Sequence, residues 1–186
     1  MLSFLKKAWS AVLVVFVLAA AGAGCILPQA QPGTGRDTGS GDGAAAGNQV
    51  TVVLYFPDSQ AMYLEREEQT VEAAQGETYE VLAVKALIEG PAVEGHGKVI
   101  PEGTELLSLE IVEGVAYVDF SEEFVKNHWG GSAGETMTIF SVVNTLTESP
   151  NVRAVMFLVE GEKLESLAGH IDITGPIERN EDIIGD

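Results

Sequence analysis

A chain of 186 residues with 28 acidic and 10 basic side chains carries a formal charge of −18. From Val50 onward the imbalance steepens to 26 acids against seven bases, a surface that repels phosphate backbones and anionic headgroups and so argues against nucleic acid as a partner. Its one cysteine, Cys25, lies ahead of this region, which therefore needs neither a disulfide nor a thiolate metal site.

At the N-terminus, Lys6 and Lys7 precede an uncharged apolar run from Ala8 to Ala21, and Gly22, Ala23 and Gly24 lead into Cys25. A positive start, an apolar middle and a small-residue end make residues 1–24 a secretory signal peptide. The stretch resembles a bacterial lipoprotein signal, with Gly22 standing where such signals usually carry leucine. The resemblance implies that Cys25 is the lipidation site. It would carry palmitate-type acyl chains, become the mature N-terminus and hold the protein on the extracytoplasmic face of the cell membrane. The alternative is an uncleaved anchor, because Ala8 to Leu27 is uncharged and roughly 20 apolar residues span a bilayer. Residues 25–49 then comprise the lipidated cysteine and a linker. Pro28 to Asn48 is rich in Gly, Ala, Pro, Thr and Gln and buries too little apolar surface to fold; a coil of this kind reaches roughly 25 Å.

Residues 50–186 have the length of one domain. Val50 to Phe56 is β-branched and aromatic and stops at Pro57-Asp58, a strand and a turn. Met62 to Val71 reads as a second strand. Glu77 to Glu89 reads as a helix, with Val81, Val84 and Ile88 on one stripe, Leu82 and Ala86 broadening it and Gly90-Pro91 ending it. A Gly- and Pro-punctuated loop covers Ala92 to Thr104. Glu105 to Val112, Glu113-Gly114 and Val115 to Phe120 make a hairpin. Ser121 with Glu122 and Glu123 reads as a helix cap, and Phe124 and Val125 as the anchors of a short helix. Ser132 to Glu135 has a capping-box pattern opening the longest helix. In that helix Ile139, Val142, Val143 and Leu146 recur at helical spacing, and Ser149-Pro150 closes it. Val152 to Val159 is an apolar strand, and Ile171 to Ile173 a last short one. The order β-β-α-β-β-α-β predicts an α+β fold: a mixed sheet with two helices packed on one face.

Several separated stretches together resemble the GerMN domain of sporulation and spore-germination lipoproteins. They are Ile100 to Thr104, Leu106 to Ser108, Val118 to Ser121, Glu135, Val143 to Leu146, Val155 to Val159 and Gly169-His170, with Gly90-Pro91 after the first helix. The resemblance covers nearly all of Val50 to Ile177, in a single copy rather than a tandem pair. It implies a ring-building-motif-like fold and a non-catalytic role in assembling extracytoplasmic envelope complexes, self-association included, in sporulation or germination.

The residues themselves offer little chemistry. His96, His128 and His170 lie in three loops without ligand spacing, so neither a metal nor a cofactor is expected. Asp119 and Ser121 could be a catalytic pair, but a strand end and a helix cap explain them without a base nearby. Glu65, Glu67, Glu68 and Glu72 could pair for acid–base work on a glycan, yet with so many acids such neighbours arise by chance. Asn144, inside the long helix, is expected to hold a neighbouring loop through its amide. A non-enzymatic assembly module is therefore the reading, and a cell-wall glycan- or peptide-binding protein or hydrolase the alternative. A deep polar pocket would favour the alternative, an open strand edge the module.

Overall fold

A computed structural model describes residues 48–185. Cys25, with the signal and the linker as far as residue 47, lies outside the described residues; Asn48 and Gln49, expected in the linker, instead open the first strand by pairing with Ala73 and Glu72. β1 (Asn48–Pro57) and β2 (Leu64–Ala73) pair antiparallel without a slip, from Asn48↔Ala73 to Pro57↔Leu64. Val52, Leu54 and Phe56 alternate into the core, the period of a half-buried strand. β2 starts later than expected because Asp58 Oδ1 accepts the amides of Met62 and Tyr63 and keeps both in the turn.

α1 (Tyr79–Glu89) starts at Thr78, whose hydroxyl accepts the Val81 N–H, and ends at Gly90. It packs on β1 and on the longest helix at once. The buried face is therefore broad and includes Leu82, Ala83, Val84, Ala86 and Leu87, while Val81 and Ile88, expected on the central stripe, are only half-buried.

β3 (Leu106–Val112) and β4 (Val115–Phe120) form the expected hairpin. Glu113 and Gly114 both have positive φ, 51° and 79°, as a two-residue hairpin turn that follows the strand twist requires. α2 (Glu123–Lys126) is a single turn. Ser121 does not cap it by accepting from the helix; its hydroxyl accepts the Glu105 amide at 3.0 Å and ties the open end of the hairpin. α3 (Ser132–Leu146) buries Ile139, Val142, Val143 and Leu146 completely, as the spacing predicts. Its start departs from the capping box, because Gly131 is the cap residue and Glu135 turns inward.

β5 (Ala154–Val159) runs parallel to β4. Two short strands, β6 (Glu162–Lys163) and β7 (Ile177–Glu178), pair antiparallel with opposite halves of β5. The strand expected at Ile171 to Ile173 does not form. The nearby backbone is committed elsewhere: the His170 amide to Glu135, the Ile173 amide to Glu165, and the Thr174 amide to Asp172.

The fold is α+β with mixed pairing, but the expected single sheet is two, β1-β2 and a five-stranded sheet ordered β3-β4-β5-β6 with β7 also on β5. α1 and α3 serve both sheets. Each packs on β1, α1 also meets β3, and α3 also meets β5. One hydrophobic core holds side chains from both sheets and all three helices. Neither sheet closes into a barrel.

Candidate functional site

The β3–β4–β5 sheet buries one face, and its other face carries exposed Ser108 and Glu110 beside half-buried Tyr117, Asp119 and Leu158, with Met156 buried. Pairing sets the rows. Leu109, Val118 and Phe157 lie across the inner face, whereas Ser108, Asp119 and Leu158, then Glu110, Tyr117 and Met156, lie across the outer one. Period-two alternation assigns these faces. A shallow groove of about 370 Å³ follows the outer face, lined by Ser108, Glu110, Val112, Tyr117, Asp119 and Leu158. Asp119 does not act with Ser121 there. Its Oδ1 accepts the Gly161 amide at 2.9 Å and fixes the turn after β5.

An unpaired strand edge invites another strand, and folded proteins usually cover or charge it. β1 has its outer edge covered: Tyr55 N–H donates to Thr145 Oγ1, Tyr55 C=O accepts from Ser141 Oγ, and Val53 N–H donates to Tyr79 Oη. At β2, Leu64 pairs with the C-terminal segment at Ile183 and Gly185, and Glu65, Arg66 and Glu68 follow. β5 is covered by β6 and β7. β3 has β4 on one side and no strand on the other. It exposes Leu107 (45%), Ile111 and Val112 (52%).

The buried polar side chains hold loops instead. Glu135 is fully buried in α3. Its Oε1 accepts from Ser166 Oγ (2.7 Å), Leu167 N (3.0 Å) and Ala168 N (2.9 Å), and its Oε2 from His170 N (2.9 Å) and Nδ1 (3.1 Å). Burial alone pushes this carboxyl up. The backbone amides and the Ser166 hydroxyl outweigh burial and hold it at about 2. At the other end of α3, Asn144 exchanges two hydrogen bonds with the Asn180 backbone, as expected of a buried amide. Arg179 beside it reaches the Asn144 carbonyl, lies over the Tyr55 ring and pairs with Glu148 at 3.0 Å.

A depressed acid stabilises the fold above its unfolded value and loses that contribution as pH falls through its folded value. For Glu135 the window runs from about 4.5 down to about 2 and is worth roughly 3 kcal/mol. Urea unfolding of the wild type and of Glu135→Gln across this range should show their stability gap narrowing by that amount. The difference cancels the other carboxylates, and a constant gap would refute the assignment.

The three histidines stay apart. His170 belongs to Glu135. His96 sits between Glu67 Oε2 (2.7 Å, on Nδ1) and Glu65 Oε2 (3.0 Å, on Nε2). Burial alone pushes its pKa down, but these two carboxylates outweigh it and raise it. His128 accepts the Gly130 amide at Nδ1, contacts Thr138 Oγ1 through Nε2, and is pushed down by burial. It stacks on Trp129, whose indole lies across Gly134; a Cβ there would meet Nε1 at 2.5 Å. No hydrogen bond joins Asp119, Ser121 and His170, and no metal-holding group of His, Cys, Asp and Glu occurs among the described residues. No described helix is long and apolar enough to cross a membrane. Sequence reasoning missed Arg179, whose partners Tyr55, Asn144 and Glu148 are far from it in sequence, and the unpaired β3 edge, which depends on strand order.

The chain was compared with known proteins. No curated protein matches it. Among solved structures it is similar to a candidate lipoprotein from Clostridium perfringens, at 27% identity and a TM-score of 0.50, covering 70% of this chain and 87% of that one. It is similar to the first GerMN domain of the Bacillus subtilis sporulation protein GerM, at 25% identity and a TM-score of 0.56, covering 70% and 98%. The tandem GerMN domains of that protein share the fold at 23% identity and a TM-score of 0.54, over 74% of this chain and 46% of theirs. The family model described as sporulation and spore germination matches residues 53–165. That span is more than half of the chain, which therefore belongs to the sporulation and spore germination family and carries a GerMN-type domain, a non-catalytic interaction module.

Proposed function

We propose that this chain is a lipid-anchored lipoprotein of the extracytoplasmic face. Its domain assembles with envelope proteins in sporulation or germination through the outer face and unpaired edge of β3. The observation carrying this reading is the contrast among edges: β1 and β5 are covered, β2 is paired at Leu64 and densely charged beyond it, and β3 has no paired strand and presents Leu107, Ile111 and Val112 to solvent with the single charge of Glu110 among them. Cys25, behind a signal over residues 1–24 and before a linker to residue 49, supplies the anchor in this reading. Two acyl chains hold a protein stably on a bilayer where one does not. The likeness to a candidate lipoprotein supports the same arrangement.

A photo-crosslinking side chain at Leu107, in intact cells, tests both halves. It should give one discrete adduct with an envelope protein in the membrane fraction, and a probe at exposed Lys85 on α1 should not. Cys25→Ser should release the protein from that fraction and remove the adduct. Full membrane retention of Cys25→Ser would leave the uncleaved anchor as the better reading. Adducts of equal yield from both probe positions would refute the β3 face.

A further inference from the structure

We propose that β3 takes, as an added strand, an extended partner segment in which basic and apolar side chains alternate. The inference rests on the β3 face being the binding surface and goes on to name what binds there.

Backbone comes first. A strand laid beside β3 gains main-chain hydrogen bonds from an edge with which no strand of the domain pairs. Its side chains must then alternate between the two faces of the sheet. The two faces beside β3 differ in chemistry. On the outer face, β3 presents Ser108, Glu110 and Val112, and β4 adds Asp119 and Tyr117. Neither Glu110 nor Asp119 is in an ion pair among the described residues, although eight of the other acids are. On the inner face, β3 presents half-buried Leu109 and exposed Ile111 at the margin of the core. An added strand therefore meets carboxylates with one set of side chains and aliphatic surface with the other. Lysine or arginine suits the first set, and valine, isoleucine or leucine the second.

Charge also decides against a second copy of this chain as the occupant. β3 reads LLSLEIV and contains no base. Pairing it with itself brings Glu110 of each copy toward the other's carboxylates, and like charges across strands are destabilising. With 26 acids against seven bases from Val50 onward, the whole domain favours approach of a cationic segment and slows that of its own kind.

The test uses the full chain and a labelled peptide of the length of β3, 7 residues, alternating lysine and valine, with a glutamate–valine peptide as control. The lysine peptide should bind, and binding should weaken several-fold from about 0.05 to about 0.5 M salt as the pair is screened. Glu110→Lys should weaken it about tenfold and bring the glutamate peptide up to comparable binding. Its thermal midpoint should not move, because Glu110 is exposed and unpaired. Amide exchange across β3 should slow on binding. Equal binding of both peptides to the wild type, or no effect of Glu110→Lys, would overturn the proposal. Self-association of the chain that competes with the peptide and survives Glu110→Lys would also overturn it. If Leu107 crosslinks an envelope protein while neither peptide binds, the β3 face stands as the interface and the basic-apolar strand falls. If neither experiment succeeds, both readings fall.

Discussion

Replacing Glu135 by glutamine is expected to destabilise the domain by roughly 3–5 kcal/mol, since each buried donor left unpaired costs about 1–3 kcal/mol. The substitution keeps the shape and removes the charge. Glutamine offers one carbonyl oxygen where the carboxylate offered two, and its amide donates where the site also donates. Leu167 N, Ala168 N and Ser166 Oγ converge on one oxygen, and both the His170 amide and its Nδ1 converge on the other. Whichever way the glutamine amide turns, at least one backbone N–H loses its acceptor. Urea unfolding measures the loss. Hydrogen exchange localises it, with Leu167 to His170 exchanging faster than the rest of the domain. A loss below about 1 kcal/mol, the net worth of one ordinary hydrogen bond, would show that the carboxylate is not what holds this loop.

Phe124→Ala is expected to cost roughly 3–5 kcal/mol, the range for truncating a buried aromatic. α2 has four residues, and Phe124 is the one it buries. The ring stacks on Phe120 of β4, with centroids 4.4 Å apart, and lies nearly parallel to Phe157 of β5 at 6.3 Å. Its removal takes away the support under the inner face of two adjacent parallel strands and leaves α2 without an anchor. Retained far-UV circular dichroism with an unfolding free energy lowered by less than about 1 kcal/mol would place the aromatic column outside the stabilising core.

Local pattern carried the elements whose partners are near in sequence or whose period is unambiguous. The β-branched and aromatic strand from Val50 to Phe56, the turn at Glu113-Gly114 and the helical spacing from Ile139 to Leu146 all emerge in the structure as read. Glu135 shows where local reading stops. Three residues after Ser132, before an apolar run, it has the form of a capping box, and its actual partners are the amides of a loop thirty-odd residues later. Glu135 and Gly169-His170 are two of the separated stretches on which the GerMN resemblance rests, and in the fold they touch. The single sheet was misread for a related reason. Nothing in the sequence of β1 tells that hydroxyls of Ser141 and Thr145 occupy its edge and so keep it out of the larger sheet. The candidate surface was the least legible part, because an edge is a property of strand order, and LLSLEIV reads the same in the middle of a sheet as at its margin.

The link between α3 and the segment after β5 also sets a timetable. The chain is synthesised from its N-terminus, so Glu135 and Asn144 exist before the residues that hydrogen-bond them, Ser166 to His170 and Asn180. Until those arrive, burying α3 would strand a carboxylate and an amide in an apolar interior, a cost of several kcal/mol. Early closure around a half-made core is thereby penalised, and the penalty lifts once the segment from Ser166 to Asn180 can reach α3.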